Sequence, residues 1–297
     1  MSFYWYHLVD AVCIKASGRD ARRYLNNRLS NDLRTIAAGE SLQAAALTAQ
    51  GRVECLFTVF AESGELFYLV ADSGNRQDIL AVLGKFVVAD RISLEDVGAA
   101  GVFLHVAGSR DVVTPVLASL GGSCYVRTAS RLGVEGVDLL IVGVDAHVVL
   151  ERFRDVCGAA LSTHDYTLLR CKQGQPVFPD EVNDRVILTE CGMRHAVSFS
   201  KGCYVGQEVI ERSDAIGKLP RRLERIRLSG VGEVPKEAPV VNHAGESIGK
   251  VVTAVSDSAE SLTYVFALLK SGSYSIGDTV STCGRSGEIL SMEHTAI

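Results

Sequence analysis

The sequence predicts an α+β fold: a duplicated layer unit over residues 1–216, followed by a small β domain over 217–297. Three observations carry this reading. First, "LFYLVADSGNRQDILAVLGKF" (66–86) runs from an apolar stretch through an aspartate and a polar break into an amphipathic segment. "DLLIVGVDAHVVLERFRDVCG" (138–158) repeats that order, with Asp145 in the place of Asp72. Second, no GxGxxG follows an apolar run, so the copies do not read as a dinucleotide-binding series. Third, the texture changes near Ile216-Gly217. Beyond it come "RRLERIRL", "ESIGKVVTAV", "SLTYVFALLK", "GDTVSTC" and "GEILSM", short runs broken by glycine and proline. That spacing predicts a small closed or sandwiched β domain.

The elements follow in order. "HLVDAVCIKA" reads as one strand, and Ser17-x-x-Asp20 reads as the cap of a helix whose Ala21, Tyr24, Leu25 and Leu29 share a face. "SLQAAALTA" and "RVECLFTVFA" flank Gln50-Gly51, a hairpin signal. "RISLEDV" and "GVFLHVAG" read as further strands, with a helix near 110–120. The second copy of the unit is expected over roughly 60–160. Ser162-x-x-Asp165 caps the next helix, and Gly174 with Pro176 ends it.

Composition bounds the function classes. The chain has 297 residues, 47% hydrophobic and 22% charged, enough apolar material for real cores and no disordered tract. A net charge of −5 gives no global attraction for nucleic acid, so any tRNA contact needs a local patch. The N-terminal "MSFYWYHLVDAVCIKASG" lacks the features of a secretory or transit peptide, and no apolar run is long enough to span a membrane. The 8 cysteines are scattered without a CxxC, which fits a reducing cytoplasmic setting better than a disulfide framework.

One stretch concentrates chemistry, "SFSKGCYVGQEVIER" (198–212). A thiol reacts as thiolate, and a nearby cation or helix N-terminus favours that form. Lys201 precedes Cys203 by two residues, and Gln207-Glu208 opens a helix expected to end near Arg212. Gly202 and Gly206 admit close backbone approach. The loop therefore reads as an activated thiol, as an anion or ligand clamp, or as a tight turn in which Cys203 is only small apolar filler.

"KGCYVGQE" resembles the signature of the folate-binding YgfZ family, bacterial relatives of a mitochondrial iron–sulfur assembly factor and of the glycine cleavage T-protein, an aminomethyltransferase. Other segments fall in the same order. "YLNNRLSNDLRTIAAGE", "TAQGRVECLFTVF", "LLRCKQGQPV" and "RRLERIRL" each resemble a family segment. The resemblance implies an aminomethyltransferase-like fold: a duplicated ferredoxin-like folate-binding unit around a central opening, then a C-terminal β-barrel. It implies tetrahydrofolate or a one-carbon derivative as ligand. It also implies a task in assembly or repair of iron–sulfur enzymes, including tRNA-modifying ones, with iron–sulfur proteins or their assembly machinery as partners. Carried over by position, Asn31 and Asp32 are pterin-pocket candidates, and Glu190, Tyr204, Gln207 and Glu208 are folate-binding candidates. Cys203 with Lys201 carries the reactive role. Where the T-protein resemblance would place an aspartate pair, this chain has Glu54-Cys55-Leu56, and Leu188 replaces a proline. Folate-dependent aminomethyl transfer and a non-catalytic scaffold for tRNA or protein stand as alternatives.

Cys171, Cys191, His195 and Cys203 match no zinc spacing, so no metal site is expected. Lys218, Arg221, Arg222, Arg225 and Arg227 form the densest basic run. It reads first as a solvated face and second as a contact for a folate tail or tRNA.

Overall fold

The computed structural model describes residues 4–217 and 219–292. Its strands are β1 (Tyr4–His7), β2 (Val12–Ser17), β3 (Ser41–Leu47), β4 (Val53–Ala61), β5 (Leu66–Ala71), β6 (Ser93–Asp96), β7 (Gly101–Ala107), β8 (Ser123–Ala129) and β9 (Gly136–Val142). The helices are α1 (Ala21–Arg28), α2 (Arg76–Gly84), α3 (Arg110–Leu120), α4 (Ala146–Cys157), α5 (Thr163–Lys172) and α6 (Gln207–Ile216). Beyond α6 lie β10 (Arg221–Ser229), β11 (Pro239–Val241), β12 (Ser247–Asp257), β13 (Leu262–Lys270), β14 (Thr279–Thr282) and β15 (Arg285–Leu290).

Period-2 patterning builds four layers. In β2, Val12, Ile14 and Ala16 face α1 and α2, while Cys13 faces a second sheet. That other face carries Phe60, Tyr68 and Val70, which meet Phe103, Tyr125 and Leu140 of the second sheet. Phe60 and Phe103 cross edge-on at 6.3 Å. On the far side, Val102, Leu104, Val106, Leu139 and Ile141 pack against Val113, Val116, Val149 and Phe153 of α3 and α4.

The first sheet runs β3-β4-β5-β2-β6 and the second β1-β7-β9-β8. Each contains the 2-3-1-4 order of a ferredoxin-like unit, the first with β3 added at its edge. In the second, the unit β7-α3-β8-β9-α4 is closed by β1, which pairs antiparallel with β7 (Trp5 opposite Val106). The expected strand "HLVDAVCIKA" is thus two strands in two sheets, broken where Ala11 turns back to the Leu8 carbonyl. The first unit runs on through α2 to β6, so the second sheet begins near Gly101 and takes β1 rather than starting at 60. The echo is also re-aligned. Asp145 caps α4 through His147 and Val148, and its counterpart at α2 is Asn75, not Asp72. The expected Ser17 cap is absent, because Ser17 ends β2 and Asp20 accepts from the Arg91 N–H instead of from α1.

The C-terminal strands close a six-membered barrel, β10-β13-β12-β11-β14-β15. Ile226, Leu228, Val251, Val265, Ala267 and Ile289 fill it. Leu223 and Phe266 face outward and join the core of the first sheet.

Candidate functional site

A cavity of about 740 Å³ opens at the edge of the layer between the two sheets. Residues 39–43, Leu56 and Asp72 of the first unit form one wall, and residues 126–131 of the second form another. Residues 174–177 and 191–193 with His195 complete it.

The polar part of this wall, with Asp72 and Arg131 just past the ends of β5 and β8, is anchored on strand faces that would otherwise carry apolar side chains. His105 and Asp138 share the inter-sheet face with Phe103 and Leu140, and both are completely buried. Arg131 joins them to the cavity. Its Nε donates to Asp138 at 2.7 Å, and Nη1 and Nη2 donate to the two Asp72 oxygens at 2.5 and 3.0 Å. His105 Nδ1 lies 3.0 Å from Asp138, and Arg127 Nη1 lies 3.4 Å from it. Burial alone would raise the Asp138 carboxyl, but Arg131, His105 and Arg127 hold it well below the usual carboxylate range. The two arginines and two aspartates balance in charge. The cavity wall is polar, fixed by charge-assisted hydrogen bonds, and close to neutral.

The residues singled out from the sequence form a brace behind this cavity rather than its lining. Lys201 is buried, and its Nζ donates to the carbonyls of Asn26, Leu29 and Asn31 at the end of α1. The ammonium also sits 4.8 Å above the Tyr204 ring. Asn31 Nδ2 donates to the carbonyls of Gln43 (2.8 Å) and His195 (3.0 Å), both of which line the cavity. The signature loop therefore holds the Leu29–Asp32 turn, and that turn holds the cavity rim.

Asp32 is engaged by Arg34 at 2.9 and 2.7 Å, which pulls its carboxyl down to about 2. Glu190 is almost fully buried and is committed to Arg221 of the barrel at 2.8 Å, and to the Ile187 N–H at 3.1 Å. It ties barrel to α+β unit. Tyr204 is buried, its phenol raised to about 12 by burial and by Glu211. Gln207 accepts from the Tyr204 N–H and donates to Glu211, while Glu208 is exposed and pairs with Arg212 at 2.7 Å. Of these residues none is in the cavity lining.

Cys203 is exposed, four residues before α6 begins at Gln207, and it too is not among the lining residues. All three Lys201 N–H donors go to carbonyl oxygens, so the expected pairing of that lysine with the Cys203 sulfur is replaced by a backbone clamp. Gly206 does make the expected close approach: at φ +83°, a Cβ there would lie 2.5 Å from the Thr48 carbonyl of the β3–β4 hairpin. Gly202 has open space. The helix runs on past Arg212 to Ile216.

Burial lowers the Lys201 ammonium from 10.5 to about 8, against the pull of Asp32. At neutral pH it keeps its proton. Between pH 8 and 10.5 the unfolded chain binds a proton here that the folded chain does not, so this site's contribution to stability rises with pH across that window. The stability difference between wild type and Lys201→Met should widen in favour of wild type from pH 8 to 10.5 in denaturant titrations. A difference that stays flat would contradict a strained ammonium.

Among the described residues no three His, Cys, Asp or Glu side chains are grouped to hold a metal ion. Cys171 and Cys191 are buried, and His195 Nε2 meets Gln43 at 2.7 Å. The basic run disperses along β10: Arg221 goes to Glu190, Arg225 is buried and donates to the Ser291 carbonyl, and Arg227 pairs with Glu288. Arg222 is exposed, and Lys218 lies outside the described residues.

Asp72, Arg127 and Arg131 were missed as site residues. In the sequence Asp72 stands out only as part of the internal echo, and "TASRLG" carries no periodicity. The signal that existed was polar residues, His105 and Asp138, at inward positions of otherwise apolar strands.

No protein-family model matches the chain. It is 23% identical over 285 residues to a chloroplastic protein of Arabidopsis thaliana named as a transferase, covering 90% of this chain and 65% of that one. An aminomethyltransferase of Exiguobacterium sibiricum is 27% identical over 257 residues (80% and 70%). A tRNA-modifying protein YgfZ of Colwellia psychrerythraea is 24% identical over 238 residues (74% and 70%). This chain thus spans 65 to 70% of the length of these relatives. Among solved structures, the glycine cleavage system aminomethyltransferase T from Bartonella henselae superposes with a TM-score of 0.84 at 15% identity, over 98% of this chain and 86% of that one. The chain is similar in sequence to YgfZ tRNA-modifying proteins and to aminomethyltransferases, and it has the fold of aminomethyltransferase T.

Proposed function

We propose that the inter-sheet cavity binds tetrahydrofolate or a one-carbon derivative, and that the protein is an accessory factor in the assembly or repair of iron–sulfur enzymes, tRNA-modifying ones among them. The observation that carries the ligand is the cavity itself. Its volume of about 740 Å³ suits a pterin with its aromatic extension. Its fixed wall of Asp72, Arg131 and Arg127, with Asp138 buried behind it, is polar yet balanced, as a neutral pterin ring requires. Asp72, held by both Arg131 donors, presents remaining lone pairs to a ring edge that carries paired N–H donors. Arg127 and His195 line the same space as complements for a carboxylate tail. When bound, the folate supplies a carrier for one-carbon units. The residues of this chain bind it, orient it and fix the charge around it.

The iron–sulfur task rests on the "KGCYVGQE" resemblance and on the exposure of Cys203. The thiol reaches partners from the outer surface while the same loop, through Lys201 and Asn31, braces the ligand cavity. Aminomethyl transfer is the second reading, favoured by the relatives so named and by a carboxylate in the cavity wall. Both Asp72 oxygens already accept from Arg131, which commits that carboxylate to holding the cavity wall.

Calorimetric titration with tetrahydrofolate tests the site. Wild type and Cys203→Ser should bind alike, whereas Ser130→Trp, which places a large ring in the cavity, should show no measurable binding. Cys203→Ser should fail to restore iron–sulfur enzyme activity in cells lacking the protein. Undiminished binding by Ser130→Trp would rule out the cavity, and full rescue by Cys203→Ser would rule out the thiol.

A further inference from the structure

A second cleft, of about 390 Å³, lies between the barrel and the 181–186 segment. Five cations line it: Arg185, Arg221, Lys236, Lys250 and Lys270, against the carboxylates Glu181 and Glu237. The surplus of three positive charges stands out on a chain whose net charge is −5. Some of these charges are spoken for. Arg185 and Lys250 share Glu237 at 2.6 and 3.3 Å, and Arg221 holds Glu190. Lys236 has no ion-pair partner among the described residues, and Lys270 reaches only the Ser247 carbonyl, at 3.4 Å.

The rest of the lining is apolar, with Val186, Val252 and Leu268. Val252 owes its place to a β-bulge. The β12–β13 register jumps from Val251↔Ala267 to Thr253↔Phe266, leaving Val252 unpaired beside the cleft. Such bulges re-aim side chains next to binding sites. Glu181 is almost fully buried at the base of the same lining, where Arg170 holds its Oε2 at 2.8 Å and the Thr253 side chain also bonds the carboxylate.

We propose that this cleft binds a small organic phosphate with a planar apolar body, of the class of a nucleoside monophosphate. Two uncompensated lysines beside an arginine match a group that concentrates nearly two negative charges. The aliphatic walls match a flat ring. This site is separate from the folate cavity, whose lining shares no residue with it.

Calorimetry of the full chain at low salt, with AMP, GMP, CMP and UMP as probes, tests the assignment. Adenosine, inorganic phosphate and citrate serve as partial mimics. At least one nucleotide should bind saturably, more tightly than any partial mimic. The double variant Lys236→Glu/Lys270→Glu should weaken it by about tenfold or more, with unfolding curves unchanged because both lysines are exposed. Val252→Trp should block the cleft. Absence of saturable nucleotide binding, equal binding of citrate or phosphate, or unchanged affinity in the double variant would each overturn the proposal. Tetrahydrofolate titration of the same variants reads the other cavity independently.

Discussion

Replacing Arg131 with methionine is expected to lower unfolding stability by about 3–5 kcal/mol, the cost of leaving a buried charge uncompensated. Asp138 is completely buried and keeps its charge mainly because Arg131 donates to it at 2.7 Å. Methionine keeps much of the volume but removes that donor and both donors to Asp72. His105 and Arg127 remain, the latter at a long 3.4 Å. A second substitution, Asp138→Asn, should recover part of the loss by removing the orphaned charge, so the two changes should be far from additive. Chemical denaturation of the single and double variants measures this. A loss under about 1 kcal/mol for Arg131→Met would mean that the network contributes little.

Trp5→Ala is expected to be comparably severe, at about 3–5 kcal/mol for a large aromatic removed from a core. Trp5 is 1% exposed and packs on Phe153 of α4 with ring centres 5.7 Å apart. Its Nε1 donates to the Gly158 carbonyl at 2.8 Å, and its own carbonyl accepts from the Leu161 N–H. Losing it opens a cavity in the second unit and strips the strand that closes that sheet. Trp5→Phe should cost clearly less, since most of the apolar contact survives. Equal costs for the two variants would place the effect in the indole hydrogen bond.

The fold was legible where periodicity and chain order agree. α3 and the Ser162 cap of α5 follow from local signals, and the β texture after Gly217 indicates a closed or sandwiched β domain, of which the closed form is found, though the three-residue β11 was too short to see. What escaped was non-local. Nothing in "YWYH" says that it pairs with residues 104–107, because strand pairing over such a distance leaves no local trace. The site divides in the same way. Lys201, Cys203 and their neighbours were visible as a concentrated motif, yet the structure turns Lys201 onto helix carbonyls and leaves Cys203 outside the cavity lining. Asp72 and Arg131 are 59 positions apart, and only tertiary folding joins them.

The placement of β1 has a consequence for synthesis. The Tyr-Trp-Tyr segment leaves the ribosome roughly a hundred residues before its partner strand exists, an interval of about 5–20 s at ordinary translation rates. During that time a sticky aromatic ribbon has no sheet to join, while the unit downstream of it can already assemble. The nascent chain therefore has to keep its first strand in reserve, and the second half of the molecule cannot be sealed until translation has passed β7.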